Sequence, residues 1–322
     1  MVRSGAVRLA LSFVVSASLL AACKPEEVTQ MPICQREVEG DAAVESQSGQ
    51  LPPKMWFSVL LRNFNPNTGV PATPLKDCSN KVVEPQLPPE TAQCVAAGNG
   101  GEALPDRPLV DDDLVIVPLE DSRSLVWVKA KWFDDGDALG PIAIAEWTKR
   151  GIAVRSIGAM RAHANRAKLR LEPMGASKVL VVESDQCDKD DPKKCNRVMR
   201  LVPLVGDRFD ERAVVLGDGT CLGPGEFLLG DRREVQQDGN VRSFELIRTV
   251  DFAEGNVVVS ESVVIKDRHP KSDEPPTVFR NVNVKRPLTL SNRDIVTVPG
   301  VWEQMLAEHG SVAAPPKAPA AG

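Results

Sequence analysis

The sequence predicts a mainly β protein: an antiparallel β-sandwich or barrel-like body with one short helix, a long N-terminal tether and a disordered C-terminal tail. Three observations carry this. Short runs rich in Val, Ile and Leu recur from Leu114 to Val298, turn signals such as GDG, QDGN and AEGN separate them, and few stretches have helical spacing. With 322 residues, 42% hydrophobic and 26% charged, the chain can bury a large core as one or two domains. It belongs as a whole to neither the disordered nor the membrane-embedded class. Its formal charge is −5, an acidic balance that excludes a nucleic-acid coat. Tyrosine is absent and aromatics make up 4%, which counts against a sugar-stacking lectin or a barrel with aromatic girdles.

Residues 1–22 read as a signal peptide. Arg3 and Arg8 give a positive start, Leu9 to Leu20 an apolar stretch interrupted by Ser12, Ser16 and Ser18, and Ala21 and Ala22 the small residues before a cut. The run is shorter than the roughly 20 apolar residues a permanent span needs. Leu20-Ala21-Ala22-Cys23 resembles the lipobox of bacterial lipoproteins, a likeness confined to these first 23 residues. The resemblance implies cleavage before Cys23, a diacylglycerol on its thiol and an acyl chain on its amino group. At about 0.8 kcal/mol per buried methylene, two or three chains hold a protein on a membrane. Lys24 stands where an inner-membrane aspartate signal would be, so the resemblance implies the outer membrane, facing either the periplasm or the outside.

Six cysteines remain after Cys23, an even number that fits disulfides in an exported chain. Cys187 and Cys195 flank the polar DKDDPKK and would staple a hairpin loop. Cys78 with Cys94 and Cys34 with Cys221 complete the expected scheme. No CxxC pair occurs, and His163, His269 and His309 are not at ligand spacing, so a zinc site is not expected.

Residues 23–54, polar and with prolines at 25, 32, 52 and 53, read as the lipidated tether. The body spans 55–310. It opens on a strand, MWFSVLLRNF (Met55 to Phe64), followed by a Pro/Gly-rich loop over 65–108. LVIVPL and SLVWVKAKWF, joined by EDSR, predict a hairpin in which Val126, Val128, Ala130 and Trp132 form the core face. GPIAIAEWTKRG, with Pro141 early and Gly151 as a stop, predicts the short helix. In AMRAHANRAKLRLEP the apolar phase slips near Asn165 and Arg166, which requires a turn or bulge. Strands follow at KVLVVES, RVMRLVPLV, RAVVL, EFLL, RSFELIRTVDF, NVVVSESVVIKD, TVFRNVNVK and DIVTV. LRLEPMGASKVLVVES resembles IRTVDFAEGNVVVSES, with Arg170 and Glu183 matching Arg248 and Glu261, a likeness that shared turn chemistry explains. Residues 311–322 read as a disordered Pro/Ala tail.

GxSxG, HExxH and P-loop motifs are missing and no histidine has a partner signature, so the chain reads as a non-enzyme. The acidic clusters read first as solvated turns, with a weak calcium site at Asp134, Asp135 and Asp137 as the alternative. Arg155, Arg161, Arg166, Lys168 and Arg170 concentrate positive charge, either as a solvent face of strands or as a patch for anionic surfaces. No cofactor is expected beyond the lipid on Cys23. The expected partners are the membrane, through the anchor, and other envelope proteins. The function that follows is a structural or protein-interaction module on the outer membrane. Its rivals are a carrier of a lipid or other small apolar ligand and a hydrolase without a readable motif.

Overall fold

The computed structural model describes residues 31–37, 51–84, 101–120, 122–148, 151–187, 191, 194–237, 239–271 and 274–310. From residue 32 onward, the described residues form one compact unit. Its β-rich body consists of a nearly closed, barrel-like sheet and a half-barrel. Cys23, Cys94 and the 311–322 tail lie outside the described residues.

The first sheet runs through β2 (Leu114–Pro118), β3 (Arg123–Val128), β5 (Asp137–Thr148), β6 (Gly151–His163), β10 (Arg208–Phe209), β9 (Cys195–Val205), β8 (Ser177–Cys187) and β7 (Lys168–Met174), in that spatial order. Three short strands join from the side: β1 (Cys34–Arg36) on β6, β4 (Lys131–Trp132) on β5 and β13 (Glu226–Leu228) on β9. The second sheet orders β12 (Cys221–Pro224), β11 (Ala213–Leu216), β18 (Ile295–Thr297), β17 (Thr277–Leu290), β16 (Asn256–Arg268), β15 (Asn240–Ala253) and β14 (Gly230–Gln237). Neighbours are antiparallel except β10 with β6 and β11 with β18. The hairpin β2–β3 and the turn at 164–166 between β6 and β7 stand where the sequence puts them.

The alternation along each strand sets the cores. Leu125, Trp127, Ile142, Met160, Leu180 and Val202 point together into the barrel, which their side chains fill. Each such burial is worth roughly 1.5–3 kcal/mol. The other faces of β3, β5 and β6, through Val126, Val128, Ala143, Ala145 and Val154, are covered by α1 (Pro53–Leu60). Both faces of β3 are therefore core, not only the Val126 face. On β8, Val179 and Val181 turn outward to meet Val257, Val259, Leu288 and Ile295 of the second sheet. The chain changes sheets at Leu229: β13 pairs with β9, Leu229 donates its N–H to the Arg197 carbonyl, and β14 continues along β15.

Three expectations are overturned. Met55–Phe64 is not a strand. Pro53 takes the first helical turn, where its missing N–H costs nothing, and Trp56, Phe57, Val59 and Leu60 then fall on one buried face. Gly140–Gly151 is not a helix but lies in β5 and the start of β6, with Pro141 opposite Ala159. Gly140 is required there by close approach, because a β-carbon would lie 1.6 Å from the Val128 carbonyl oxygen. The body has two helices among the described residues, α1 and α2 (Trp302–His309). Last, the segment read as a tether to residue 54 contains β1, which pairs with Ile152–Val154 of β6.

That pairing also corrects the disulfides. Cys34 bonds Cys78, not Cys221, because β1 on β6 and the bridge between Leu61 and Asp77 bring the two cysteines together beside α1. Cys78 is thereby unavailable to Cys94. Cys187 bonds Cys195 across directly opposed positions of β8 and β9. Cys221 is also disulfide-bonded.

The two hairpins with similar sequences meet tip to tip, Gly175 donating its N–H to the Gly255 carbonyl at 2.7 Å. Their turns differ: Gly175 alone has positive φ in the first, whereas both Glu254 and Gly255 do in the second. Their registers differ too. Arg248 sits directly opposite Glu261, but Arg170 sits opposite Val181 and reaches Glu183 diagonally.

Candidate functional site

The acidic cluster and the basic residues that the sequence singles out come together, as partners of one another. Asp135 lies in the turn before β5 and Asp137 begins that strand; Arg161 projects beside them from β6. Its Nε donates to Asp137 Oδ2 at 3.0 Å and its Nη2 to Asp135 Oδ2 at 2.5 Å. Asp135 also accepts the N–H of Gly101 at 2.8 Å. The Arg161 guanidinium lies 3.7 Å from the centroid of the Phe133 ring, so it is held on a face as well as by charge.

A second arginine extends the cluster. Arg200 on β9 donates to Glu226 Oε2, directly opposite on β13, at 2.6 Å. Glu211 lies 4.0 Å from the same guanidinium. A further Arg200 N–H donates to the Arg161 carbonyl at 2.6 Å. The reason lies in the topology. β10 is two residues long, so beyond Gly158 the edge of β6 turned away from β5 has no strand partner among the described residues. Arg200 satisfies one exposed carbonyl there, and Ser184 Oγ on β8 accepts the N–H of His163 at 2.9 Å. Side chains thus close a seam that strand pairing leaves open.

Burial raises the proton affinity of two carboxyls at this seam. Asp137 is pushed above its ordinary range by burial and then by the charge of Asp135, against the pull of Arg161. Glu211 is pushed up by burial, which outweighs Arg200. Arg200 moves upward: burial opposes its charge, but Glu226 and Glu211 prevail. The cluster can therefore take up protons as the medium acidifies, while its hydrogen bonds are otherwise spent internally.

Asp134 is exposed. Among the described residues, no three or more His, Cys, Asp or Glu side chains form a metal-binding group. The other members of the basic set are also engaged: Arg155 with Glu146 at 2.7 Å, Arg166 with Asp185 at 2.9 Å, and Arg170 with Glu172 at 3.0 Å and with Glu183. Lys168 is exposed at the start of β7, opposite Glu183. Sequence reasoning missed Arg200, Glu211 and Glu226. The legible signal was Arg200 itself, a charge in the middle of the apolar run RVMRLVPLV.

A groove of about 420 Å³ lies on the second sheet, over β15, β16 and β17. Ile247, Thr249, Ser260, Ser262, Asn283 and Lys285 contribute to its lining. Compared with known proteins, the chain matches no family model, no curated protein and no solved structure.

Proposed function

We propose that the chain is a lipid-anchored envelope protein whose β-body serves as a structural or protein-interaction module, attached by Cys23 to the outer membrane. The observation that carries this reading is the Leu20-Ala21-Ala22-Cys23 sequence placed ahead of a β-body with two cysteine pairs at bonding distance. Two features of the body support it. The barrel is filled by its own side chains, and the arginines and carboxylates of the seam pair with one another. What such a body offers is its outer surface.

The test is the intact mass of the protein recovered from its own membranes, with its N-terminal peptide. Diacylglycerol and an acyl chain on an N-terminal Cys23, together with release of Cys23→Ser into the soluble fraction, are the expected results. A mature chain that does not begin at Cys23, or an unmodified Cys23, overturns the anchor. Co-purification of the acylated protein with other envelope proteins is expected to identify the partner. A second reading, carriage of a small apolar ligand, is favoured by the groove over β15–β17. Organic extraction of the purified protein followed by mass spectrometry tests it, and an empty extract rejects it.

A further inference from the structure

The groove on the second sheet joins two kinds of chemistry. Cross-strand register sets its side chains in two adjacent rows on the face turned away from Val259 and Val263. Ile247, Ser262 and Asn283 form one row and Thr249, Ser260 and Lys285 the other, on β15, β16 and β17 in turn. All six line the same space of about 420 Å³, a volume within the range of small-ligand sites. Most of the surface it presents is carbon. Ile247 is 61% exposed although it lies in the middle of a long strand, and half-buried Val264 continues the floor one row beyond Ser262.

Against this carbon stand a few unspent polar groups. Lys285 forms no ion pair and no hydrogen bond among the described residues, and the hydroxyls of Thr249, Ser260 and Ser262 are likewise unspent. Asn283 Nδ2 donates to Asn281 Oδ1 at 3.5 Å and keeps a second N–H. The acids around the groove do not cancel the ammonium. Glu261 is wholly buried beneath the floor, where it accepts from Arg248 and Arg286. Glu245, one row beyond Ile247, is paired with Lys266. Asp251, one row beyond Thr249, is exposed; β16 stands between it and Lys285, and the two form no ion pair. Lys285 is therefore a charge on the groove wall without a counter-ion, set in the row that also holds two free hydroxyls.

We propose that this groove binds a single-chain amphipathic acid, its carboxylate on Lys285 and the hydroxyls of Thr249 and Ser260, its alkyl chain along Ile247 and Val264. A neutral apolar molecule would leave the ammonium unused, and a cation would be repelled by it. The inference rests on the second reading above, that the groove carries a small apolar ligand, and adds the acid head to it.

The Cys23→Ser chain, purified without detergent, is titrated calorimetrically at neutral pH with decanoate, decanol and decyltrimethylammonium, which share one alkyl chain and differ in the charge of the head. Decanoate is expected to bind about fivefold more tightly than decanol, the upper end for a partly exposed ion pair, and the ammonium more weakly than either. Octanoate is expected to bind more weakly than decanoate, by up to about fourfold per missing methylene. K285Q is expected to bring decanoate to the level of decanol and to leave decanol unchanged; Lys285 is exposed, so the cores are untouched. I247S is expected to weaken both. Equal binding of decanoate and decanol by the parent, or a preference for decanoate that survives K285Q, overturns the acid head and leaves carriage of an apolar ligand standing. Binding of no probe, or binding that I247S does not weaken, removes the groove as the site and the carrier reading with it.

Discussion

Glu261 on β16 accepts the backbone N–H of Trp302, the first residue of α2, at 2.6 Å. Its same oxygen, Oε1, takes the N–H of Val301 at 2.7 Å, while Oε2 takes Arg248 at 2.8 Å and Arg286 at 3.3 Å. The carboxylate is wholly buried, and it satisfies N–H groups that the start of a helix leaves without partners. It fixes α2 so that Trp302 and Met305 cover Phe244, Leu246, Val263 and Ile265. Glu261→Gln keeps the shape but removes the charge, leaving two buried guanidinium groups without compensation. The expected loss is about 3–5 kcal/mol, read from the denaturant midpoint. Amide exchange in α2 is expected to accelerate more than in β8, and equal protection of the two would show that Glu261 does not hold the helix.

Opposite pKa shifts in the body predict a stability maximum in mildly acidic solution. Burial raises Asp137 and Glu211, so the folded state binds their protons more tightly than the unfolded chain does. Stability on their account is gained as pH falls through their folded values, which lie above the ordinary 3.8 and 4.5. Glu261 and Glu183 behave in reverse. Burial alone would raise them, but hydrogen bonds from Arg248 to the first, and from Arg170 and Arg197 to the second, hold them below 4.5. Their contribution is present above 4.5 and is lost as pH falls through the folded values. Denaturation midpoints measured from pH 3 to 8 are expected to rise and then fall on acidification. Glu211→Gln should flatten the upper limb and leave the lower one; an unchanged upper limb would refute the assignment.

The disulfides Cys34–Cys78 and Cys187–Cys195 close loops of very different length, 44 and 8 residues. On the chain-entropy account, these are worth about 4 and about 2.5 kcal/mol through the unfolded state. The C34S/C78S variant is therefore expected to lose more stability than C187S/C195S. It should also release β1 from β6, which amide exchange at Ile152 and Val154 reports. A larger loss in C187S/C195S would contradict this ordering.

What the sequence disclosed follows from how locally each feature is encoded. β16 reads as a strand because Val257, Val259, Val263 and Ile265 alternate with half-buried neighbours, so its two-residue period survives. β5 does not, because from Ala138 to Ala145 both faces are buried and the period vanishes, leaving Pro141 and Gly151 to suggest a helix. In α1, aromatic and apolar residues imitate a strand, and the Pro52-Pro53 pair is the better signal. The seam was half legible. Asp135, Asp137 and Arg161 stand out as charge clusters, but Glu226 reaches them only through the pairing of β13 with β9, which no local pattern encodes.

The partnership of Arg161 with Asp135 and Asp137 bears directly on calcium. Calcium requires several free oxygens from a flexible loop. Here Asp135 presents its oxygens to Arg161, to Gly101 N–H and to Asp137 N–H, and Asp137 faces the same guanidinium. A divalent ion would have to displace an arginine that is also seated on Phe133. Millimolar calcium is therefore expected to leave the melting midpoint of the parent protein unmoved. Arg161→Gln removes the competing charge and is expected to cost about 1–3 kcal/mol, because two adjacent carboxylates lose their shared donor. In that variant calcium should raise the midpoint, as the freed oxygens gain a cation. A calcium-dependent rise in the parent itself would show that the ion, not Arg161, is the native partner of these aspartates.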